Sequence, residues 1–169
     1  MPRLLVHRLK NDSIREFRAA ARIRNEDAWQ LALAQRAAAA VYLWGYVAEM
    51  ILKAAWFDLE GRLRRDDPIT FGDLRRAVDL ATNAHQVSWP VQGRYHAVSC
   101  WAQLLTKHRM VIGKPYPDPD FASEVERHSC RVYDRWRESM RYKQNRPYPS
   151  EVRAVSDSVE WLLSNARRL

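Results

Sequence analysis

Apolar residues along this 169-residue chain recur at intervals of three and four positions, the spacing that places them on one side of an α-helix. The apolar–polar alternation that is typical of strands is not a feature of the sequence. The pattern predicts an all-α protein, a five- to six-helix up-and-down-type bundle with short connections. A chain of this length is expected to form a single domain over residues 1–169, with residues 1–12 as a flexible N-terminal arm.

Capping signals predict where the helices of the first half begin and end. Ser13 opens a Ser-x-x-Glu sequence, in which serine and glutamate each satisfy a free amide at a helix start. Residues 25–27, Asn-Glu-Asp, are expected to end this first short helix and to cap a second one, which Gly61 closes. Residues 70–73, Thr-Phe-Gly-Asp, predict another short helix that ends near Ala81.

In the second half of the chain, prolines predict where the helices begin and end. Ser88 and Pro90 predict the start of a helix that runs to about Val111. Three prolines within residues 113–120 predict a break, and a long helix is expected from there to about Gln144. Ser150 is expected to start the final helix, after a last proline-containing loop.

The most apolar segment, residues 41–56, carries one acid and one base, four positions apart. On a helix, Glu49 and Lys53 share a narrow face with Tyr42 and Tyr46, and the rest of the circumference is apolar or small. We call these four residues the polar stripe and predict a helix that is buried nearly all round. The stripe either reaches solvent, bonds a neighbouring helix, or lines a groove or subunit contact.

Membrane insertion and secretion are disfavoured by the same sequence. Residues 37–57 are long enough to span a bilayer, but the charges inside the segment make a buried helix the better interpretation. The apolar part of the N-terminus is too short for a secretory signal. Cys100 and Cys130 lie far apart without ligand spacing, which is typical of reduced thiols and predicts a cytoplasmic location with no membrane.

Positive charge gives the first functional hint. The formal net charge of +8 favours phosphate backbones and acidic partners through a long-range field. Near the end of the long predicted helix, Arg137 and Arg141 accompany Tyr142, and Arg94 precedes His96 at another predicted helix start. Arginines interleaved with tyrosine suit a phosphate backbone and an unstacked base.

Several kinds of chemistry lack their usual motifs. The sequence contains no phosphate-binding glycine loop, dinucleotide-binding motif, zinc-protease motif or nucleophile elbow. His96 and Cys100, four positions apart, would supply only half of a tetrahedral zinc site. We therefore expect neither a metal nor a cofactor.

Three segments carry a family resemblance. Residues 40–55, AVYLWGYVAEMILKAA, resemble the signature helix of HEPN domains. Residues 71–81, FGDLRRAVDLA, are similar to the short helix that follows in that family, and residues 136–163 are similar to its closing pattern. The segment 82–120 departs most from the family. The resemblance implies a helical bundle that often dimerises, in a family of RNA-cutting toxins and non-catalytic modules, several paired with a small nucleotidyltransferase.

Catalytic members of that family carry an arginine followed, after four to six intervening residues, by a histidine. The arginine would hold the RNA phosphate and the histidine would move a proton, without a metal. None of the five histidines of this chain has an arginine at that spacing. The resemblance therefore implies no catalytic residues here.

The leading hypothesis is a non-catalytic HEPN-like binding module, expected to form a homodimer in a toxin–antitoxin or defence context. It would contact RNA, a nucleotide or a nucleotidyltransferase-type protein partner. The residues assigned to binding are Tyr46, Glu49, Lys53, Arg94, Arg137, Arg141 and Tyr142. One alternative is a metal-independent ribonuclease that uses Arg94 or Arg141 with His96. The other is a protein-interaction scaffold whose positive charge is incidental.

Overall fold

The computed structural model describes residues 11–144 and 146–169. Within these ranges the chain forms six α-helices and two short 3₁₀ turns, and no strand. The α-helices are α1 (Ile14–Leu33), α2 (Ala37–Glu60), α3 (Phe71–Asn83), α4 (Val98–Val111), α5 (Pro119–Tyr133) and α6 (Pro149–Ser164). The first 3₁₀ turn covers Arg94–His96 and the second covers Glu138–Tyr142. The predicted all-α bundle is confirmed.

Helix α2 is the central element and packs against α1, α4, α5 and α6. Its residues from Val47 to Phe57 are buried with the single exception of Met50, which is half-buried. Large aromatic side chains fill the space around it, since four tryptophans are fully buried: Trp44, Trp56, Trp101 and Trp136. Each buries a large apolar area, so most of the stabilisation of the bundle comes from surfaces that face α2.

Several predicted helix ends are confirmed. The Ser13 hydroxyl accepts from the Glu16 amide at the start of α1. Thr70 and Asp73 form a complete capping box at the start of α3. Gly61 closes α2 with φ of 73°, a left-handed conformation that glycine adopts without the steric cost of a side chain. The proline-rich break before α5 is also present, with Asp118 as its cap.

The predicted break at residues 25–27 is wrong, because α1 continues unbroken to Leu33. Asn25 does not cap a helix; its amide accepts from the indole of Trp44 (3.0 Å) and donates to Glu160 (3.0 Å). The chain turns instead at residues 34–36, where Gln35 has a φ of 59°. Asn25 therefore forms hydrogen bonds with residues of other helices and does not end α1.

The predicted start of the fourth helix near Ser88 is also wrong. Helix α4 begins ten residues later, at Val98, after a loop and the first 3₁₀ turn. The Trp89 indole folds back to donate to the Arg94 carbonyl, and Gly93 has a φ of 62°. A left-handed residue at this point prevents a continuous helix.

Helix α5 was predicted to reach Gln144 but ends at Tyr133. Beyond it, Trp136 is turned into the core and its indole donates to the Tyr42 carbonyl at 3.0 Å. The ring lies against Gly45, where an added Cβ would stand 2.1 Å from the indole. Burial of this indole diverts the chain from the helical path and starts the second 3₁₀ turn beside α2.

Two observations bear on the expectations for the N-terminus and the membrane. Residues 1–10 of the expected arm lie outside the described residues, whereas the Asp12 carbonyl accepts from the Ile69 amide at 2.8 Å. Helix α2 is long and apolar enough to cross a membrane, although more than half of its most apolar window is buried inside the bundle.

Gly45→Ala tests the contact between α2 and Trp136. The added methyl group has to displace the indole, so we expect the free energy of unfolding to fall by about 3 kcal/mol. Gly72→Ala is the matched control, since a Cβ there meets nothing closer than the Thr70 hydroxyl at 3.4 Å. Urea titration of both variants measures the difference, and equal stability of the two would contradict the packing described here.

Candidate functional site

The charged end of the polar stripe is buried. Glu49 is 4% exposed and Lys53 is 5% exposed, and the Glu49 Oε1 to Lys53 Nζ distance is 2.5 Å. The ammonium also lies over the rings of Phe17 (6.0 Å) and Trp101 (5.5 Å), which favour a cation electrostatically. The sequence left open whether this pair reaches solvent, and the burial of both side chains shows that it does not.

The second oxygen of the Glu49 carboxylate binds a histidine from another element. His96 Nδ1, in the first 3₁₀ turn, donates to Glu49 Oε2 at 2.8 Å. The His96 side chain is 35% exposed and so joins the buried ion pair to the surface. Because a carboxylate oxygen accepts hydrogen bonds, Nδ1 is the donor, which leaves Nε2 as the acceptor nitrogen of an imidazole that carries one proton.

The tyrosines of the stripe extend this arrangement toward solvent. The hydroxyl groups of Tyr42 and Tyr46 are hydrogen bonded at 3.2 Å. The Tyr46 ring meets His96 edge-on, with centroids 6.0 Å apart, and meets Trp136 in the same way at 5.2 Å. Burial raises the pKa of Tyr46, and the bond to Tyr42 acts in the same direction, so its hydroxyl stays protonated.

Arg141 completes the series at the surface. It is exposed in the second 3₁₀ turn, with its guanidinium 4.7 Å from the centre of the Tyr142 ring. Tyr142 raises the pKa of Arg141, and the nearby Tyr42 and Tyr46 act in the same sense. These neighbouring residues are, from surface to core, Arg141, Tyr42, Tyr46, His96, Glu49 and Lys53, and we call them the polar chain.

Three of the predicted binding residues lie outside the polar chain. Arg94 points to Asp79 at 3.4 Å, so the structure supplies no contact between Arg94 and His96. Arg137 stacks on Tyr133 at 3.6 Å and donates to the Trp136 carbonyl at 2.7 Å. Tyr142 is 75% exposed and offers an open ring.

A shallow depression adjoins the polar chain. It has a volume of about 540 Å³. Trp136, which touches Tyr46, forms part of its wall, and its basic lining residues are Arg135, Arg137 and Arg146. Asp134 and Glu151 also line the depression, so its three guanidinium groups exceed its carboxylates by one.

Sequence patterns placed the polar stripe but did not reveal its link to His96. Glu49 and His96 are 47 positions apart in the sequence, and no local spacing pattern predicts such a contact. One signal was present: a carboxylate inside an apolar helix requires more than a single partner to offset its desolvation. The possibility of a zinc site at His96 and Cys100 gains no support. The Cys100 thiol lies 3.5 Å from the Ser88 carbonyl, and residues 11–144 and 146–169 contain no group of three potential metal ligands.

The chain matches no protein-family model, no curated protein and no solved structure. The helices of the structure establish an all-α bundle, and the HEPN resemblance stays a prediction.

A double-mutant cycle tests the buried pair. Glu49→Leu leaves Lys53 without its anion in the core and is expected to lower the free energy of unfolding by about 3–5 kcal/mol. Lys53→Met is expected to lower the free energy of unfolding by a smaller amount, because Glu49 keeps His96 as a partner. The double variant should recover most of the loss, since two apolar side chains leave no buried charge. Urea titrations of the four proteins measure this coupling, and strictly additive losses would contradict it.

Proposed function

We propose that this protein binds single-stranded RNA on the surface formed by the polar chain and the adjoining depression. The observation that carries the proposal is the exposed Arg141 guanidinium, which lies 4.7 Å from the centre of the exposed Tyr142 ring. A guanidinium group offers several hydrogen-bond donors to one phosphate group. The net charge of +8 supports the same conclusion, because it concentrates polyanions near the protein.

Aromatic groups favour a single strand over a duplex. Tyr142 is exposed next to Arg141, so a base that leaves its stack can lie on the ring while the guanidinium contacts the backbone. The adjoining depression presents Arg137 and Arg146 to the next phosphates. Stacking of this kind tolerates many sequences, so we expect binding with little sequence preference.

The HEPN resemblance supplies the context of the proposal. It suggests a homodimer, a nucleotidyltransferase-type protein partner and a role in a toxin–antitoxin or defence system. A cytoplasmic location agrees with contact with RNA.

Arg141→Gln tests the phosphate contact. We expect weaker binding of a labelled single-stranded RNA and a salt dependence whose logarithmic slope falls by about 0.7, the value for one lost phosphate contact. Arg131→Gln is the matched control, because it removes one positive charge from an exposed position on α5. Fluorescence anisotropy across a salt series measures both. An RNA affinity that does not change with salt, or an equal loss of RNA affinity in the two variants, would overturn the proposal.

Metal-independent RNA cleavage is the second candidate, and the Glu49–His96 hydrogen bond is the observation that favours it. With Nδ1 held by the carboxylate, Nε2 is free to accept the proton of a ribose 2′-hydroxyl. The 2′-oxygen would then attack phosphorus to form a 2′,3′-cyclic phosphate, and the bond to the 5′-oxygen would break. That oxygen would take a proton from water, and His96 would return its proton to solvent. Arg141 would neutralise the charge that develops on the phosphate.

Cleavage in a chelating buffer separates the two candidates. If His96 is the base, His96→Gln should reduce the rate at least about 100-fold while RNA binding persists. His108→Gln is the matched control, because His108 lies at the other end of α4, paired with His85 at 3.1 Å. Cleavage that survives in His96→Gln would dismiss this site, whereas binding without any cleavage would leave the first candidate alone.

A further inference from the structure

A second concentration of arginines lies on the opposite side of α2 from the polar chain. It surrounds a groove of about 560 Å³ between α1, α2 and the end of α6. Its basic lining residues are Arg18, Arg22, Arg65 and Arg167. Ile51, in its floor, is two residues beyond Glu49 and so faces about 200° away from it around the helix. The two sites therefore do not share a surface.

The arginines of this groove are largely uncompensated. Arg18 is held by Asp58, with 2.7 Å between Nη2 and Oδ2. The side chains of Arg22, Arg65 and Arg167 are exposed and have no hydrogen bond or ion pair to any residue in the described ranges. Asp58 is the sole acid in the lining, so the groove carries three net positive charges.

Neutralisation of a helix end does not account for this cluster. The last carbonyls of α6 already have partners, since the Asn165 amide donates to Trp161 (3.1 Å) and the Ala166 amide donates to Leu163 (3.2 Å). Four guanidinium groups around one groove, with a single carboxylate among them, create a positive potential that attracts multiply charged anions. The arrangement is that of a site for a multiply charged anion.

Shape and lining indicate the size and type of the ligand. The volume lies within the range of about 300–1,000 Å³ that is typical of small-molecule sites. The buried side chains of Ala21 and Ile51 contribute an apolar floor, and the arginines stand around it. Guanidinium groups match phosphate oxygens in geometry and bind them in pairs. A compact phosphorylated molecule fits this concave groove better than a continuous nucleic-acid backbone does.

We propose that the groove binds a small ligand with two adjacent phosphoryl groups, a diphosphate or a longer phosphate chain. Arg22, Arg65 and Arg167 would contact the phosphate oxygens, and Asp58 would hold Arg18 in position at the wall. The charge of a diphosphate, about −3 near neutral pH, is close to that of the lining. This inference does not depend on RNA binding at the polar chain.

Calorimetric titration of the full chain with inorganic pyrophosphate, at constant ionic strength and without divalent cations, tests the proposal. Saturable binding at one site is expected. Arg22→Gln and Arg167→Gln should each weaken it about ten-fold, the loss typical of a charge-assisted hydrogen bond. Arg131→Gln, the control on α5, should leave it within about two-fold. No saturable binding, or equal weakening in all three variants, would overturn the proposal.

Two further ligands distinguish the sources of the diphosphate group. Tighter binding of inorganic tripolyphosphate than of pyrophosphate supports an inorganic chain as the ligand. Tighter binding of geranyl diphosphate supports an organic ester whose apolar part lies on the half-buried Leu163 and Ala166. RNA binding should be unchanged in Arg22→Gln, and pyrophosphate binding should be unchanged in Arg141→Gln, so failure at one site is separable from failure at the other.

Discussion

The Glu49 carboxylate, buried inside the most apolar helix of the chain, is the constraint on which the rest of the structure depends. An isolated carboxylate in such an environment would cost several kcal/mol, so each of its oxygens requires a partner. Lys53 supplies one from the next turn of the same helix, and His96 supplies the other from a distant loop. The second bond fixes the first 3₁₀ turn against α2 and leaves an oriented imidazole at the surface.

A packing contact has a comparable effect at the other end of the stripe. Gly45 leaves space on α2 that the Trp136 indole fills, and the indole also binds the Tyr42 carbonyl. This insertion ends α5 early and brings the second 3₁₀ turn, with Arg141, next to the tyrosines. Core packing and surface chemistry are thus coupled, because the residue that fills the core also positions the exposed arginine.

Two clusters of arginine side chains lie on different faces of the bundle. On one face the cluster lies beside tyrosines and a histidine, an arrangement suited to a nucleic-acid strand. On the other the cluster surrounds a compact groove with an apolar floor, an arrangement suited to a small phosphorylated ligand. Helix α2 lies between the two faces, which present guanidinium groups in two different shapes, and under the two proposals shape would decide which anion each face binds.

The sequence by itself determined the all-α class, the caps at Ser13 and residues 70–73, and the burial of α2 with its polar stripe. These features depend on interactions within about four residues, which helical periodicity and capping signals report directly. Only the tertiary structure decided that α1 runs through Asn25, that Trp136 ends α5, and that Glu49 binds His96. In each case a side chain contacts a partner far along the chain. Such a contact depends on which helices pack together in space.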